Sequence, residues 1–166
     1  LDFLVHAIGF SDKNELDGRY IDTSAGNFAL TMNISVYSFT AIAKRAEPLM
    51  SAGGSLLTLT YYGAQRYIPN YNVMGVAKAA LEASVRYLAV DLGKAGIRVN
   101  AIVPGAISTD RQKALWDTPE SEREFLDQQC LKFRLSADDV ARTALFLASD
   151  EARGITGVNL IVDAGL

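Results

Sequence analysis

Tyr61, Tyr71 and Lys78 stand in the order Tyr-x9-Tyr-x6-Lys. Seven residues of α-helix turn through about 700°, so Tyr71 and Lys78 fall within about 20° of each other on one helical face. A phenol and an ammonium sharing a face make a proton donor whose conjugate base is favoured by a fixed positive charge. Tyr61 closes an apolar run, the position beside which parallel sheets usually place their ligand crevice. Spacing alone leaves a second reading open, an amphipathic helix with one interfacial Tyr and one solvated Lys.

The elements that would position these groups follow from the apolar pattern. Four short apolar runs, at 1–8, 55–60, 98–103 and 159–163, alternate with longer helical stretches. That alternation predicts a parallel sheet covered by helices. Residues 28–50 carry apolar side chains at helical spacing, and Gly53 with Gly54 makes the turn into the second strand. A long helix is expected over 70–94, stopped by Gly96. Ser136, with Asp138 and Asp139 favourable beside the helix dipole, marks the start of another helix over 137–149. The whole reads as a β-α-β-α-β-α-β unit whose last crossover is interrupted by an insertion at 108–134.

Across 166 residues, 49% are hydrophobic, ample for a packed core within one domain or part of one. The net charge of −3, with no basic stripe interleaved with aromatics, argues against a nucleic-acid partner. No apolar run approaches the length that spans a bilayer. The single Cys130 cannot form an internal disulfide, which fits a reducing cytoplasm, and it reads as a buried or half-buried structural thiol. His6 is the sole histidine and sits in an apolar run, so it reads as a satisfied core or crevice residue rather than a general base. Nothing is spaced to complete a metal site, and none is expected. The chain opens at Leu1 directly in an apolar run, which reads as a piece of a longer protein.

The stretch 69–91 resembles the catalytic helix of bacterial NADH-dependent enoyl-acyl-carrier-protein reductases, a branch of the short-chain dehydrogenase/reductase superfamily. His6-Ala7-Ile8-Gly9-Phe10, Tyr37-Ser38-Phe39 and Leu57-Thr58-Leu59-Thr60-Tyr61 resemble the same family in the same order. Ordinary short-chain dehydrogenases carry Tyr-x3-Lys with a Ser thirteen residues before that Tyr. Counting back from Lys78 puts Met74 in the ordinary Tyr slot and Tyr61 in the ordinary Ser slot, so the ordinary set is absent. The resemblance implies an α/β, Rossmann-like doubly wound parallel sheet, of which this chain is the C-terminal half, strands four to seven. It also implies that a Gly-rich pyrophosphate turn lies in the missing half, since Gly53 and Gly54 follow no G-x-G-x-x-G pattern.

By that resemblance the cofactor is NADH (NAD+), and the substrate is an enoyl thioester linked to acyl carrier protein. Tyr71 would hydrogen-bond the thioester carbonyl, and Lys78 would hold the nicotinamide ribose and favour charge on Tyr71. Tyr61 would position the acyl chain or relay a proton. Ile8 and Gly9, ending the first strand, and Ile107, Ser108 and Thr109, following the third, would contact the cofactor. Phe10 and Ser11 would contact the substrate. A homo-oligomer, a tetramer joined through the long helices and the last strand, is expected as well.

One segment departs from the pattern. Pro104-Gly105-Ala106-Ile107-Ser108-Thr109 and the rest of the chain to Leu166 resemble ordinary short-chain dehydrogenases at least as well. A carbonyl or polyol dehydrogenase therefore stays open as an alternative, as does a catalytically silent module used for assembly. In the insertion, Trp116, Phe125 and Leu126 stand among Arg111, Lys113, Arg123, Lys132 and Arg134. They could form an acyl-pocket cover that receives an acidic carrier protein, or a solvated amphipathic helix pair.

Overall fold

In this computed structural model, which describes residues 1–110 and 118–166, four strands form one parallel sheet in the order β1-β2-β3-β6. They are β1 (Phe3–His6), β2 (Gly54–Leu59), β3 (Ile97–Pro104) and β6 (Asn159–Val162). Leu56 pairs with Leu4 on one side and Val99 on the other, which fixes the register across the middle. Two very short strands, β4 (Ile107–Ser108) and β5 (Leu135–Ser136), pair with each other in parallel outside the main sheet. Nothing in the sequence pattern foretold them, because two-residue strands carry no period.

Successive strand residues face opposite sides, and the core divides accordingly. Leu56, Val99 and Ala101 face helices α2 (Ser38–Ala46) and α3 (Asn72–Gly93), packing on Phe39, Ala43, Ala77, Leu81 and Val85. Leu57 and Ile102 face the helix Ala137–Ala148 through Leu147. Helices on both faces of a parallel sheet make this a Rossmann-like α/β fold. Ser136 caps the Ala137–Ala148 helix as expected, sharing the Asp139 carboxylate through its amide and hydroxyl, both at 2.7 Å.

The stretch expected as one helix over 28–50 is broken into four pieces. It opens earlier, with α1 (Ala25–Met32), where the Ser24 hydroxyl accepts from the Asn27 amide. A π-helical segment, Asn33–Tyr37, joins it to α2, and a 3₁₀ turn, Glu47–Leu49, ends it at Pro48. Such π segments are frequent near functional sites, and this one carries Ser35, whose hydroxyl bonds the Phe10 backbone.

Gly53 and Gly54 are a turn, at φ 85° and 159°, and a Cβ on Gly54 would lie 2.7 Å from the Asp2 carbonyl oxygen. Cys130 departs from expectation, since its side chain is exposed at the surface beside Gly165. Its burial depended on chain packing that a lone residue cannot report. Among the described residues, no helix is long and apolar enough to cross a membrane.

Candidate active site

Because all four strands of the main sheet are parallel, the residues that follow β1, β2 and β3 gather at one edge. Ile8–Ser11 leave β1 there, Tyr61 leaves β2, and Ile107 and Ser108 leave β3 as β4. The long helix α3 brings Tyr71 and Lys78 to the same place.

Tyr71 is the residue immediately before α3, at φ −119° and ψ −23°, so the helix starts at Asn72 rather than at 70. The turn that delivers it has Asn70 at φ 58° and Asn72 at φ 30°. Asn is among the few residues that occupy this left-handed region at low cost. The Asn72 amide reaches toward the Glu15, Asp17 and Gly18 carbonyls at 3.4 Å, facing the loop after β1.

The Tyr71 ring meets Tyr61 edge-on, with centroids 5.1 Å apart and planes at 66°. Its other flank is cut to fit glycine. A Cβ on Gly63 would lie 2.5 Å from Tyr71 Cδ1, and one on Gly75 would lie 2.9 Å from the Gly63 carbonyl oxygen. Burial pushes the Tyr71 phenol well above its usual range, and the Tyr61 phenol adds to the shift. Burial raises Tyr61 too. Tyr71 therefore stands as a protonated phenol.

Lys78 is turned toward the strand ends. Its ammonium donates to the Leu59 carbonyl at 2.9 Å, and burial lowers its pKa. It also lies 3.7 Å from the point where a Gly9 side chain would begin, so it and the end of β1 are neighbours. The Ser35 hydroxyl approaches that point at 3.8 Å, accepts from the Phe10 amide at 3.0 Å and donates to the Phe10 carbonyl at 3.1 Å. Ile8 and Phe10 are exposed beside it. The Ser11 hydroxyl is turned inward, in contact with Asn27 Oδ1 at 3.3 Å and Thr31 Oγ1 at 2.9 Å. It anchors the loop as it stands.

His6 is buried, with Nδ1 3.1 Å from Thr58 Oγ1, Nε2 2.8 Å from Ser38 Oγ, and its ring 5.2 Å from Phe39. It is the satisfied histidine the sequence suggested. Of the insertion, Arg111, Lys113 and Trp116 lie outside the described residues. Arg123 pairs with Glu120 at 3.2 Å, and Lys132 donates to the Leu126 and Asp127 carbonyls at the end of the Pro119–Gln128 helix. Arg134 stands over the Phe125 ring at 5.0 Å. Each of these three basic groups makes a local contact within the segment, and both readings of the insertion stay open.

Sequence reasoning missed Gly63 and Gly75, which shape the seat of Tyr71. It also missed Asn27, Thr31 and Ser35, which pin the loop after β1. A signal for the second group exists: polar residues at 27, 31, 35 and 38 recur at helical spacing in an otherwise apolar stretch.

The family model described as enoyl-(acyl carrier protein) reductase matches residues 1–166. An NADH enoyl-acyl-carrier-protein reductase of Rhizobium meliloti is 58% identical over 165 residues, covering 99% of this chain and 61% of that protein. One from Rickettsia bellii is 54% identical over 164 residues, covering 99% and 63%. Among solved structures, the Anaplasma phagocytophilum reductase in complex with NAD superposes with a TM-score of 0.90 at 56% identity, covering 99% of this chain and 61% of that one. The Bacillus cereus enzyme with NADP+ and indole naphthyridinone gives 0.93 at 48% identity, covering 99% and 64%. The chain thus spans less than two thirds of the length of the curated relatives it matches. By sequence over its whole length, by fold and by its Tyr-x9-Tyr-x6-Lys array, the chain belongs to the enoyl-(acyl carrier protein) reductase family.

Proposed function

We propose that this chain carries the catalytic residues of an NADH-dependent enoyl-acyl-carrier-protein reductase, which saturates the trans-2 double bond of an enoyl thioester in fatty-acid synthesis. The observation that carries the reading is the Tyr71 phenol, partly buried, protonated and braced edge-on by Tyr61 at the carboxyl edge of the sheet. Bound NADH supplies the hydride that adds to the β-carbon. That addition drives electron density onto the thioester carbonyl oxygen, and an O–H already aimed there is worth more as the charge grows. Tyr71 is that donor. A phenol keeps its proton throughout the physiological range, and burial reinforces this, so Tyr71 meets the carbonyl as a donor and not as a phenolate. Tyr61 fixes the ring and borders the acyl chain. The proton that completes the α-carbon comes ultimately from solvent.

The residues present fit the cofactor. Gly9 leaves one side of the Lys78 ammonium open to the ribose hydroxyls, and a side chain there would begin 3.7 Å from that ammonium. Ile8, Gly9, Ile107, Ser108 and Thr109 supply further contacts from the ends of β1 and β3, and Phe10 and Ser11 flank the substrate side. We also infer a larger domain. The free edge of β1, with Phe3 and Val5 49% and 42% exposed, supports a further strand belonging to a complete dinucleotide-binding unit that brings the Gly-rich turn. A homotetramer, a cytoplasmic setting and a carrier-protein partner complete the reading.

In the complete enzyme, Tyr71→Phe lowers kcat for crotonyl-thioester reduction about 10²–10³-fold, the usual effect of removing a donor to a developing oxyanion. NADH affinity stays unchanged in that variant. Lys78→Ala weakens NADH binding as well as turnover. Wild-type NADH affinity in Lys78→Ala would remove the ribose role.

A further inference from the structure

Glu82 is a buried carboxyl group that the chemistry above does not use. It lies on α3 one turn beyond Lys78 and is 7% exposed. A buried carboxyl group is costly unless its oxygens are hydrogen-bonded, so its partners show what it is for. Oε1 accepts from the Thr60 hydroxyl at 3.0 Å, and Oε2 accepts from the Asn159 side-chain amide at 2.8 Å. Thr60, itself buried, is the residue between the end of β2 and Tyr61. The preceding residue, Leu59, is held through its carbonyl by Lys78.

Two side chains one helical turn apart thus grip two consecutive residues of the strand end. The next residue is the ring that braces Tyr71. Resting on the proposed reductase reading, we infer that Glu82 is a positioning residue: it fixes Thr60 against α3 so that Tyr61 is delivered edge-on to Tyr71. Asn159, the first residue of β6, ties the same carboxyl group to the neighbouring edge of the sheet.

The requirement is for two hydrogen bonds, which glutamine can reproduce and alanine cannot. Its amide nitrogen can donate to the Thr60 hydroxyl oxygen while its carbonyl accepts from Asn159. In the complete enzyme, Glu82→Gln is expected to keep kcat within about 3-fold, and Glu82→Ala to lose about 10-fold or more, since small displacements of a site group carry penalties of this order. The KM for NADH stays constant in both, because the cofactor residues are untouched.

A Tyr61→Ala background, which removes the bracing ring, separates this role from a general structural one. If Glu82 acts through Tyr61, Glu82→Ala costs less there than in wild type. The same fold-loss in both backgrounds would overturn the inference, as would wild-type kcat in Glu82→Ala. Should Glu82→Ala not accumulate as folded enzyme, Thr60→Val removes the same hydrogen bond. It is expected to show the same kcat loss at constant KM for NADH, and undiminished kcat there overturns the inference too. Failure of the reductase reading itself looks different, with no crotonyl-thioester reduction by the wild-type protein.

Discussion

At the residue scale, His6 shows how burial chooses a charge state. The Thr58 hydroxyl also donates to the His6 carbonyl at 3.1 Å, and the Ser38 hydroxyl to the Ile34 carbonyl at 2.6 Å. Each hydroxyl has one proton and a neutral imidazole has one, so three protons serve four contacts. An imidazolium would fill all four. Burial, reinforced by the nearby Lys78 charge, nevertheless moves the His6 pKa below its ordinary 6.5. The unfolded chain therefore binds more protons than the folded one as the pH falls below about 6.5, and stability, fully present above that value, is lost on acidification. Thermal melts of the complete protein should show Tm falling between about pH 7.5 and pH 5.5, with a shallower fall in His6→Asn. Parallel curves for the two proteins would mean that other groups set the acid sensitivity.

At the scale of elements, helix α3 is organised by a glycine that helix propensity disfavours. In an exposed helix, Gly→Ala stabilises by about 1 kcal/mol. At Gly75 the new Cβ would lie 2.9 Å from the Gly63 carbonyl oxygen, a backbone atom that cannot rotate aside. Such overpacking typically costs about 1–3 kcal/mol, so the clash wins. Gly75→Ala should lower Tm, and it should lower kcat more than its Tm shift predicts, because the displaced 63–64 turn also walls the Tyr71 ring. A stabilised, fully active Gly75→Ala would show that the turn yields freely. This contact also marks what the sequence could disclose. Strands and the α3 span were legible to within a few residues because their apolar periods are local. The gathering of Tyr61, Tyr71 and Lys78 was legible because their spacing is fixed along one strand–helix unit. Gly63 and Gly75 were opaque because their meaning is a distance between two chain segments. The break of 28–50 into α, π and α was hidden for a related reason: the partners of Ser35 and Ser38 lie at Phe10 and His6, far upstream.

For the whole molecule, the outer face of α3 bears on assembly. Val76, Ala80, Ala83, Tyr87 and Val90 recur at spacings of four, three, four and three, one continuous stripe of a helix. Tyr87 and Val90 are 77% and 76% exposed, although the opposite face of the same helix is buried in the core through Ala77, Leu81 and Val85. Small residues flanked by an aromatic and two valines suit close helix-to-helix approach, and a second copy of the same stripe across a two-fold axis buries both at once. The stripe stands on the helix that carries Lys78 and Glu82, so pairing two copies of α3 would stiffen the scaffold of both sites. Because a two-fold contact repeats every change, Tyr87→Glu places two carboxylates in one apolar seam, where like charges without partners are strongly disfavoured. Light scattering of the complete protein should show a tetramer for wild type and a smaller species for Tyr87→Glu. A wild-type monomer would remove the assembly proposal, and an undisturbed tetramer in Tyr87→Glu would move the contact to another face, with the edge of β6 the next surface to test.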